Sequence, residues 1–349
     1  MISTASDIVA SPAGQSRVTL RKTLVSCTLL GAALLLAIVL MSLIGSEQLP
    51  AGASLCALAS FGTTTCGLSR DQFDILFQIR LPRILLAAAV GGSLATAGAG
   101  YQSLLRNPLA EPYLLGISNG AAVGTMIALV FFGANEWTRP LLAFTGALAA
   151  TLAVYRLARG RAGATPERLI LAGVIVTTFL SSVIVFVTTL MDATRIRSFT
   201  FWLLGDLSGT SKSLLPVAIT IAIAGTLALT LNARSLNLLM LGERDAFDLG
   251  VEVGRVRVLV FLVASLLVGS SVAASGSVGY VGLVVPHLAR LSLGSDNRIS
   301  IPAAALGGAL FVIVADTLVR TIIAPRELPV GAITALIGAP LFIYLLRRA

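Results

Sequence analysis

The chain has 349 residues, of which 56% are hydrophobic and only 12% are charged, and its formal net charge is +9. A soluble domain cannot hide so much apolar surface, because its own surface needs polar side chains. The composition therefore indicates a polytopic membrane protein, and no basic stripe with interleaved aromatics points to nucleic acid.

Long apolar segments, bounded by charges or by glycine and proline, predict an all-α fold with about ten membrane-spanning helices. A β-barrel would show alternating apolar and polar residues instead. The eighth and tenth predicted spans are short and contain Pro286 and Pro340, so we expect them to be bent or broken. The predicted spans are Thr23–Ile44, Ile84–Ser103, Leu114–Phe132, Pro140–Leu157, Leu169–Met191, Ser213–Leu231, Val256–Ser275, Val278–Leu293, Ile301–Ile322 and Val330–Leu346.

The distribution of positive charge predicts the orientation of these spans. Residues 1–22 are expected to form a cytoplasmic tail and residues 23–349 a single transmembrane domain, without a cleaved signal peptide. With the N-terminus inside, 16 of the 25 Lys and Arg residues fall on the cytoplasmic side. The positive-inside rule then places both termini in the cytoplasm.

Three cysteines are spread over the first 66 residues. Cys27 lies in the first span, where core packing is the expected role. Cys56 and Cys66 lie in the following segment, which is predicted to be outside. A disulfide between them is one of two open alternatives, since an oxidising compartment permits it but does not require it.

The two halves of the chain share a weak internal similarity. Val90–Gly98 matches Val268–Gly276 at five of nine positions, and Pro108 matches Pro286 at the same offset. Each repeat would hold five spans, an odd number, so the halves would be inverted in the membrane as in many transporters. The one large cytoplasmic loop, residues 232–256, mixes an apolar stripe with charges and predicts a short amphipathic surface helix.

Several kinds of chemistry are missing from the sequence. No phosphate-binding Gly-x4-Gly-Lys-Ser/Thr motif occurs, and the nearest stretch, Gly209–Lys212, lacks the Gly-Lys step. With His287 as the single histidine, no His-based metal site or catalytic triad is available. We therefore expect no catalytic residues, no metal site and no cofactor, and ATP hydrolysis would need a separate subunit.

Asp316, in the ninth span, is the clearest intramembrane acid and could be a proton relay. Pairing with Arg320, four residues further along the same helix face, is the favoured interpretation. Arg80 and Arg83 are spaced to face one way at the outer mouth of the second span. They could bind lipid phosphate or an acidic protein surface, and the spacing does not decide between these.

Four segments together resemble the FecCD-type permeases of bacterial ABC importers for ferric siderophores, haem and cobalamin. They are RLPR at Arg80–Arg83, RNPLAEPYLLGISNGAAVG at Arg106–Gly124, GSVGYVGLVVPHLAR at Gly276–Arg290, and ELPVGAITALIG at Glu327–Gly338. Their order and spacing extend from about Leu81 to the end of the chain. The resemblance implies a type II importer fold and a homodimer with two separate ATPase subunits and a periplasmic substrate-binding protein.

The resemblance also implies roles for particular residues. Arg80, Arg83 and Arg320 stand where the family receives acidic residues of the binding protein. The cytoplasmic loop matches the segment that couples to the ATPase, through Glu243, Asp245, Ala246, Leu249 and Gly250. Asn107 and Leu109 match part of the cytoplasmic gate. Pro166 and Glu167 occupy its second element, where relatives carry small hydroxyl residues, so their gating role is open.

The expected function is the membrane permease subunit of a binding-protein-dependent importer in the bacterial inner membrane. The family implies a metal chelate as substrate, with ferric siderophore the first expectation and cobalamin or haem next. An ion-coupled secondary transporter is the alternative, and it would work without a partner ATPase.

Overall fold

A computed structural model describes residues 20–132, 137–160, 163–209, 212–324 and 326–347 of the chain. Most of the predicted tail and the middle of Gly209–Lys212 lie outside the described residues. The α-helices are α1 (Leu20–Leu43), α2 (Ala51–Ala59), α3 (Arg70–Asp74), α4 (Leu81–Leu104), α5 (Ile117–Ile127), α6 (Thr138–Ala158), α7 (Pro166–Thr188), α8 (Ala193–Leu203), α9 (Leu214–Leu231), α10 (Ala233–Leu241), α11 (Glu243–Asp248), α12 (Val253–Ser275), α13 (Val281–Leu293), α14 (Asn297–Thr321) and α15 (Val330–Leu346).

Short non-α elements complete the chain. Two-residue strands, β1 (Arg159–Gly160) and β2 (Gly163–Ala164), pair antiparallel between α6 and α7. A π-helical turn, Ile75–Arg80, leads into α4, and a second, Ala128–Phe132, extends α5. A 3₁₀ turn, Pro112–Leu115, precedes α5.

Seven helices of the described chain are long and apolar enough to cross a membrane, and three shorter apolar helices stand where the third, eighth and tenth spans are predicted. The all-α polytopic fold class is therefore confirmed. Helix α13, in the eighth predicted span, begins at Val281 rather than at Val278. The backbone from Gly276 to Tyr280, just before it, is not helical. Pro286 and Pro340 lie inside continuous helices.

Helix α4 forms the centre of the bundle, and almost every residue from Pro82 to Leu104 is buried. Its glycines allow close contact with two neighbours. A Cβ at Gly91 would lie 2.1 Å from the carbonyl oxygen of Gly308 on α14, and one at Gly98 would lie 1.9 Å from that of Gly282 on α13. Larger side chains at these positions would force the helices apart.

Three segments differ from the sequence-based expectations. The chain between α1 and α4 contains α2 and α3, which pack around a small core of Leu49, Ala57, Leu68 and Leu76. Helix α8 follows α7 and buries Trp202 beside Phe199. The predicted single amphipathic helix of the large loop is two helices, α10 and α11, separated at Gly242, whose φ of 144° favours glycine.

Candidate functional site

Two groups of charged side chains lie at opposite ends of α4. The arginine cluster consists of Arg80, Arg83, Asp316, Arg320 and Glu327. The α11 cleft is a cavity of about 550 Å³ lined by Arg106, Thr165, Pro166, Glu167 and residues 242–245. The 24 residues of α4 separate the two groups by about 36 Å at 1.5 Å per residue.

Asp316 is the centre of the arginine cluster. Its carboxylate accepts hydrogen bonds from Nε of Arg83 at 3.0 Å and from Nε of Arg320 at 3.1 Å. Only 1% of the Asp316 side chain is exposed. The favoured pairing of Asp316 with Arg320 is therefore confirmed, and Arg83 is a second partner from a helix far away in the sequence.

Glu327 completes the coordination of Arg83. Its two carboxylate oxygens lie 2.8 and 3.0 Å from Nη1 of Arg83, and 46% of its side chain is exposed. Glu327 begins the ELPVGAITALIG segment, and no role is predicted for it from the sequence. Its part in the cluster follows only from its distance to Arg83 in the folded chain, and no local sequence pattern predicts that distance.

Arg80 and Arg83, which are predicted to face one way, have different hydrogen-bond partners. The guanidinium of Arg80 donates to the carbonyl oxygens of Ser42 and Leu43 at the end of α1 and of Glu47 in the turn that follows it. A Cβ at Gly45 would collide with this guanidinium. The two long side chains reach different neighbours, Arg80 the end of α1 and Arg83 the carboxylates of Asp316 and Glu327.

All three predicted docking arginines are buried in the single chain, with 4% of Arg80, 6% of Arg83 and 8% of Arg320 exposed. Arginines this deep require partners, because an unpaired buried charge is costly. Each has them within the chain. Binding of an external acid at this cluster therefore requires a change in the present contacts, and docking stays a prediction.

The α11 cleft brings the predicted coupling segment next to one element of the predicted gate. A carboxylate oxygen of Glu243 lies 2.5 Å from Nη2 of Arg257 and 3.7 Å from Nη2 of Arg106. Glu243 therefore links α11 to both α12 and the loop after α4. Pro166, at the first position of α7, is buried, and Glu167 is exposed beside it.

The remaining predicted coupling residues lie along α11 and the turn after it. Ala246 is buried and packs with Leu239 and Val251, whereas Leu249 is 61% exposed. Gly250 has a φ of 84°, a left-handed conformation that lets the chain turn back towards α12. Asp245, in the first turn of α11, lines the cleft.

Asn107 and Leu109 lie in the loop after α4. The side-chain oxygen of Asn107 accepts a hydrogen bond from the Leu109 amide at 2.9 Å, which stiffens the loop, and Leu109 is exposed. Asn107 lines a second cavity of about 320 Å³ with His287 and Arg290. Arg106 lines both cavities, so the loop after α4, one predicted gate element, lies beside the other, Pro166 and Glu167.

The same loop is attached to the segment between α12 and α13. The amide of Tyr280 donates to the carboxylate of Glu111 at 3.1 Å, and the hydroxyl of Tyr113 bonds both the amide and the carbonyl of Val278. Burial raises the pKa of the Glu111 carboxyl, and the Tyr280 hydrogen bond opposes this rise. These contacts join the Arg106–Gly124 segment to the Gly276–Arg290 segment, two of the four stretches that resemble the family.

Cys56 and Cys66 are joined in the structure, with Cα atoms 5.9 Å apart, at the edge of the small core between α1 and α4. Formation of this bond in the cell remains a prediction. Among the described residues, no group of three or more His, Cys, Asp or Glu side chains could hold a metal ion.

Comparison with known proteins decides the family. The model of the FecCD transport family matches residues 33–348. This chain belongs to the FecCD transport family. The haem transport permease HmuU of Yersinia pestis is 40% identical over 92% of this chain and 95% of its own length. The vitamin B12 import permease BtuC of Vibrio cholerae is 42% identical over 79% of this chain and 83% of its own length.

A solved structure gives the same answer for the fold. A metal-chelate type ABC transporter in an inward-facing conformation superposes with a TM-score of 0.80, covering 95% of this chain and all of that one at 30% identity. The predicted permease fold and the predicted role as the membrane subunit of an ABC importer are thereby confirmed.

Proposed function

We propose that this FecCD permease imports a metal–tetrapyrrole chelate, with haem as the first candidate and cobalamin as the second. The observation that carries the proposal is the similarity of nearly the whole chain to a permease named for haem. Similarity to permeases named for vitamin B12 supports the second candidate. Ferric siderophore, the first expectation from sequence, has no comparable support among these relatives.

The proposed assembly is a homodimer in the bacterial inner membrane, with two ATPase subunits at the α11 end and a substrate-binding protein at the arginine cluster. Both termini, including the tail 1–22, would lie in the cytoplasm. The permease domain, residues 23–349, has no phosphate-binding loop of its own in its sequence. ATP hydrolysis on the partner subunits would therefore drive the change between inward-facing and outward-facing states.

Helix α11 supports the proposed ATPase contact. Phe247 and Leu249, which are 71% and 61% exposed, present apolar surface next to the charged residues Glu243 and Asp245. Large exposed apolar side chains with a polar rim are typical of protein interfaces. Glu243 would then transmit movement of α11 to Arg106 and so to the proposed gate loop with Asn107 and Leu109. Pro166 and Glu167 border the same cleft, which supports a place for them at this gate.

The ion-coupled alternative loses its main candidate residue. Asp316 was the clearest intramembrane acid, and its carboxylate is bonded to two arginines. A proton carrier must exchange its proton along a pathway during each cycle, whereas only 1% of the Asp316 side chain is exposed and both arginines hold it in place. The structure gives Asp316 a role in holding α4 against α14 instead.

Uptake into proteoliposomes tests the proposal. Vesicles would contain this permease with its partner ATPase, and the substrate-binding protein would be added outside with haem, cobalamin or a ferric siderophore. We expect uptake of one tetrapyrrole chelate that needs ATP and persists after ionophores collapse all ion gradients. Uptake without ATP, or uptake of the siderophore alone, would contradict the proposal.

A further inference from the structure

Glu327 is distinguished from the other members of the arginine cluster by its exposure. Asp316, 1% exposed, and Glu327, 46% exposed, bind different parts of the same guanidinium. Asp316 contacts Nε and Nη2 of Arg83, and Glu327 contacts Nη1 alone. One carboxylate is therefore internal and fixed, and the other stands at the surface.

We propose that Glu327 is an internal substitute for a carboxylate of the substrate-binding protein, which displaces it from Arg83 on docking. The inference rests on the proposed function, in which this end of the permease receives that protein. It adds a residue and an exchange step to the docking site.

The charges favour a carboxylate as the incoming group. The cluster contains three arginines, and two carboxylates, Asp316 and Glu327, pair with Arg83 and Arg320. Arg80 is bonded to neutral carbonyl groups. The Glu47 carboxylate acts on Arg80 from nearby. When Glu327 leaves, the three arginines retain only Asp316 within the cluster, and Nη1 of Arg83 becomes available to an incoming acidic group.

The exchange requires little net change in solvation or pairing. An ion pair with one half-exposed member contributes little to stability, because water screens it. Replacing one carboxylate by another keeps the buried guanidinium paired throughout. Displacing Asp316 instead would leave the buried Arg320 without a carboxylate and Arg83 with Glu327 alone, which is far more costly.

Because Glu327 lies just before α15, the exchange would also change how the start of that helix is held. Helix α15 begins three residues later at Val330, whose amide donates to the carbonyl of Gly205 at 2.9 Å. The ion pair with Arg83 and this hydrogen bond are two attachments of the start of α15. Docking would release the first attachment, so occupancy at the surface would change how firmly α15 is held.

Binding of the chelate-free substrate-binding protein of the same importer to the permease–ATPase complex in nanodiscs tests the exchange. Glu327→Gln and Glu327→Ala remove the competing carboxylate, and we expect each to tighten binding roughly fivefold at low salt. Asp71→Asn is the matched control, because Asp71 is an exposed acid on α3 and the substitution removes the same charge. It should change affinity less than twofold.

A double-mutant cycle separates the exchange from docking itself. In an Arg83→Gln background, the Glu327 substitutions should lose their effect, since no guanidinium is left to uncover. If Arg83→Gln weakens binding but the Glu327 variants leave it unchanged or weaker, the exchange is wrong and docking stands. If Arg80→Gln, Arg83→Gln and Arg320→Gln all leave affinity unchanged, the proposed docking site is wrong and the exchange is wrong with it.

Discussion

The two ends of α4 both carry arginines, but in opposite surroundings. Arg83 is buried between Asp316 and Glu327, with distances of 3.0 Å or less to each carboxylate. Arg106, after the other end, is partly exposed, and its nearest carboxylate oxygen, on Glu243, is 3.7 Å away. A buried, fully paired arginine fixes the positions of helices, whereas an exposed one at a cleft can exchange partners as the cleft changes shape.

The largest expected effect comes from removing the internal acid of the buried end. Asp316→Asn leaves Arg83 and Arg320 without their shared carboxylate, and we expect a loss of about 3–5 kcal/mol in the free energy of unfolding. Denaturant unfolding in detergent measures it. Glu252→Gln, which breaks the exposed pair with Arg255, is the control and should cost no more than about 0.5 kcal/mol. Equal effects would refute the contrast between buried and exposed charges.

The segment that holds Arg80 should depend on the bond between Cys56 and Cys66. Reduction frees the loop between two cysteines that are 10 positions apart in the sequence. We expect the local free energy of unfolding of this segment to fall by about 2–3 kcal/mol. Protease cleavage between α2 and α3 should therefore be faster with reductant. Cys27→Ser is the matched control and should respond to reductant as the wild type does. Cleavage that reductant leaves unchanged would mean that the bond does not form.

At the exposed end, Glu243→Gln should weaken the link between α11 and the loop after α4. We expect the free energy of this link to fall by about 1 kcal/mol, which corresponds to a roughly fivefold lower rate of ATP-driven uptake, while the protein still folds. Uptake and ATP hydrolysis are measured in the same vesicles. Glu252→Gln, on the same side of the bundle but without contact to Arg106, should leave both rates unchanged. Wild-type uptake in Glu243→Gln would remove Glu243 from the coupling path.

The smallest effect concerns pH. Burial raises the pKa of Glu111 above the usual carboxyl value of about 4.3, so the folded protein holds its proton to higher pH than the unfolded chain. Its contribution to stability is present below the unfolded pKa and is lost as pH rises through the folded pKa. Glu111→Gln should make the melting temperature depend less on pH over that window. A pH profile unchanged by the substitution would contradict the assignment.

Local patterns were sufficient to predict much of this molecule from its sequence. Apolar length alone placed ten helices, and the i,i+4 spacing alone predicted the pair of Asp316 with Arg320. The family motifs indicated the loop with Asn107 and the segment with Glu243 as functional segments, and the structure shows that they lie together at Arg106. These features depend on residues close in sequence, or on a family pattern that contains them.

The missed features depend on distant contacts or on short segments. The pair of Arg83 with Asp316 spans 233 positions, and no local pattern states which helix neighbours α4. Helix α8 was missed because a short polar stretch, with Arg195 and Arg197, gives no membrane signal, and Trp202 is buried by tertiary packing. The role of Glu327 follows only from its distance to Arg83.

The central claim is that the arginine cluster receives the binding protein while the α11 cleft couples the ATPase. ATP-driven uptake measured against the concentration of binding protein tests it most directly. Arg83→Gln should raise the concentration needed for half-maximal uptake and leave the maximum unchanged. Glu243→Gln should lower the maximum and leave the half-maximal concentration unchanged. If both substitutions change the same parameter, the division between the two ends is contradicted.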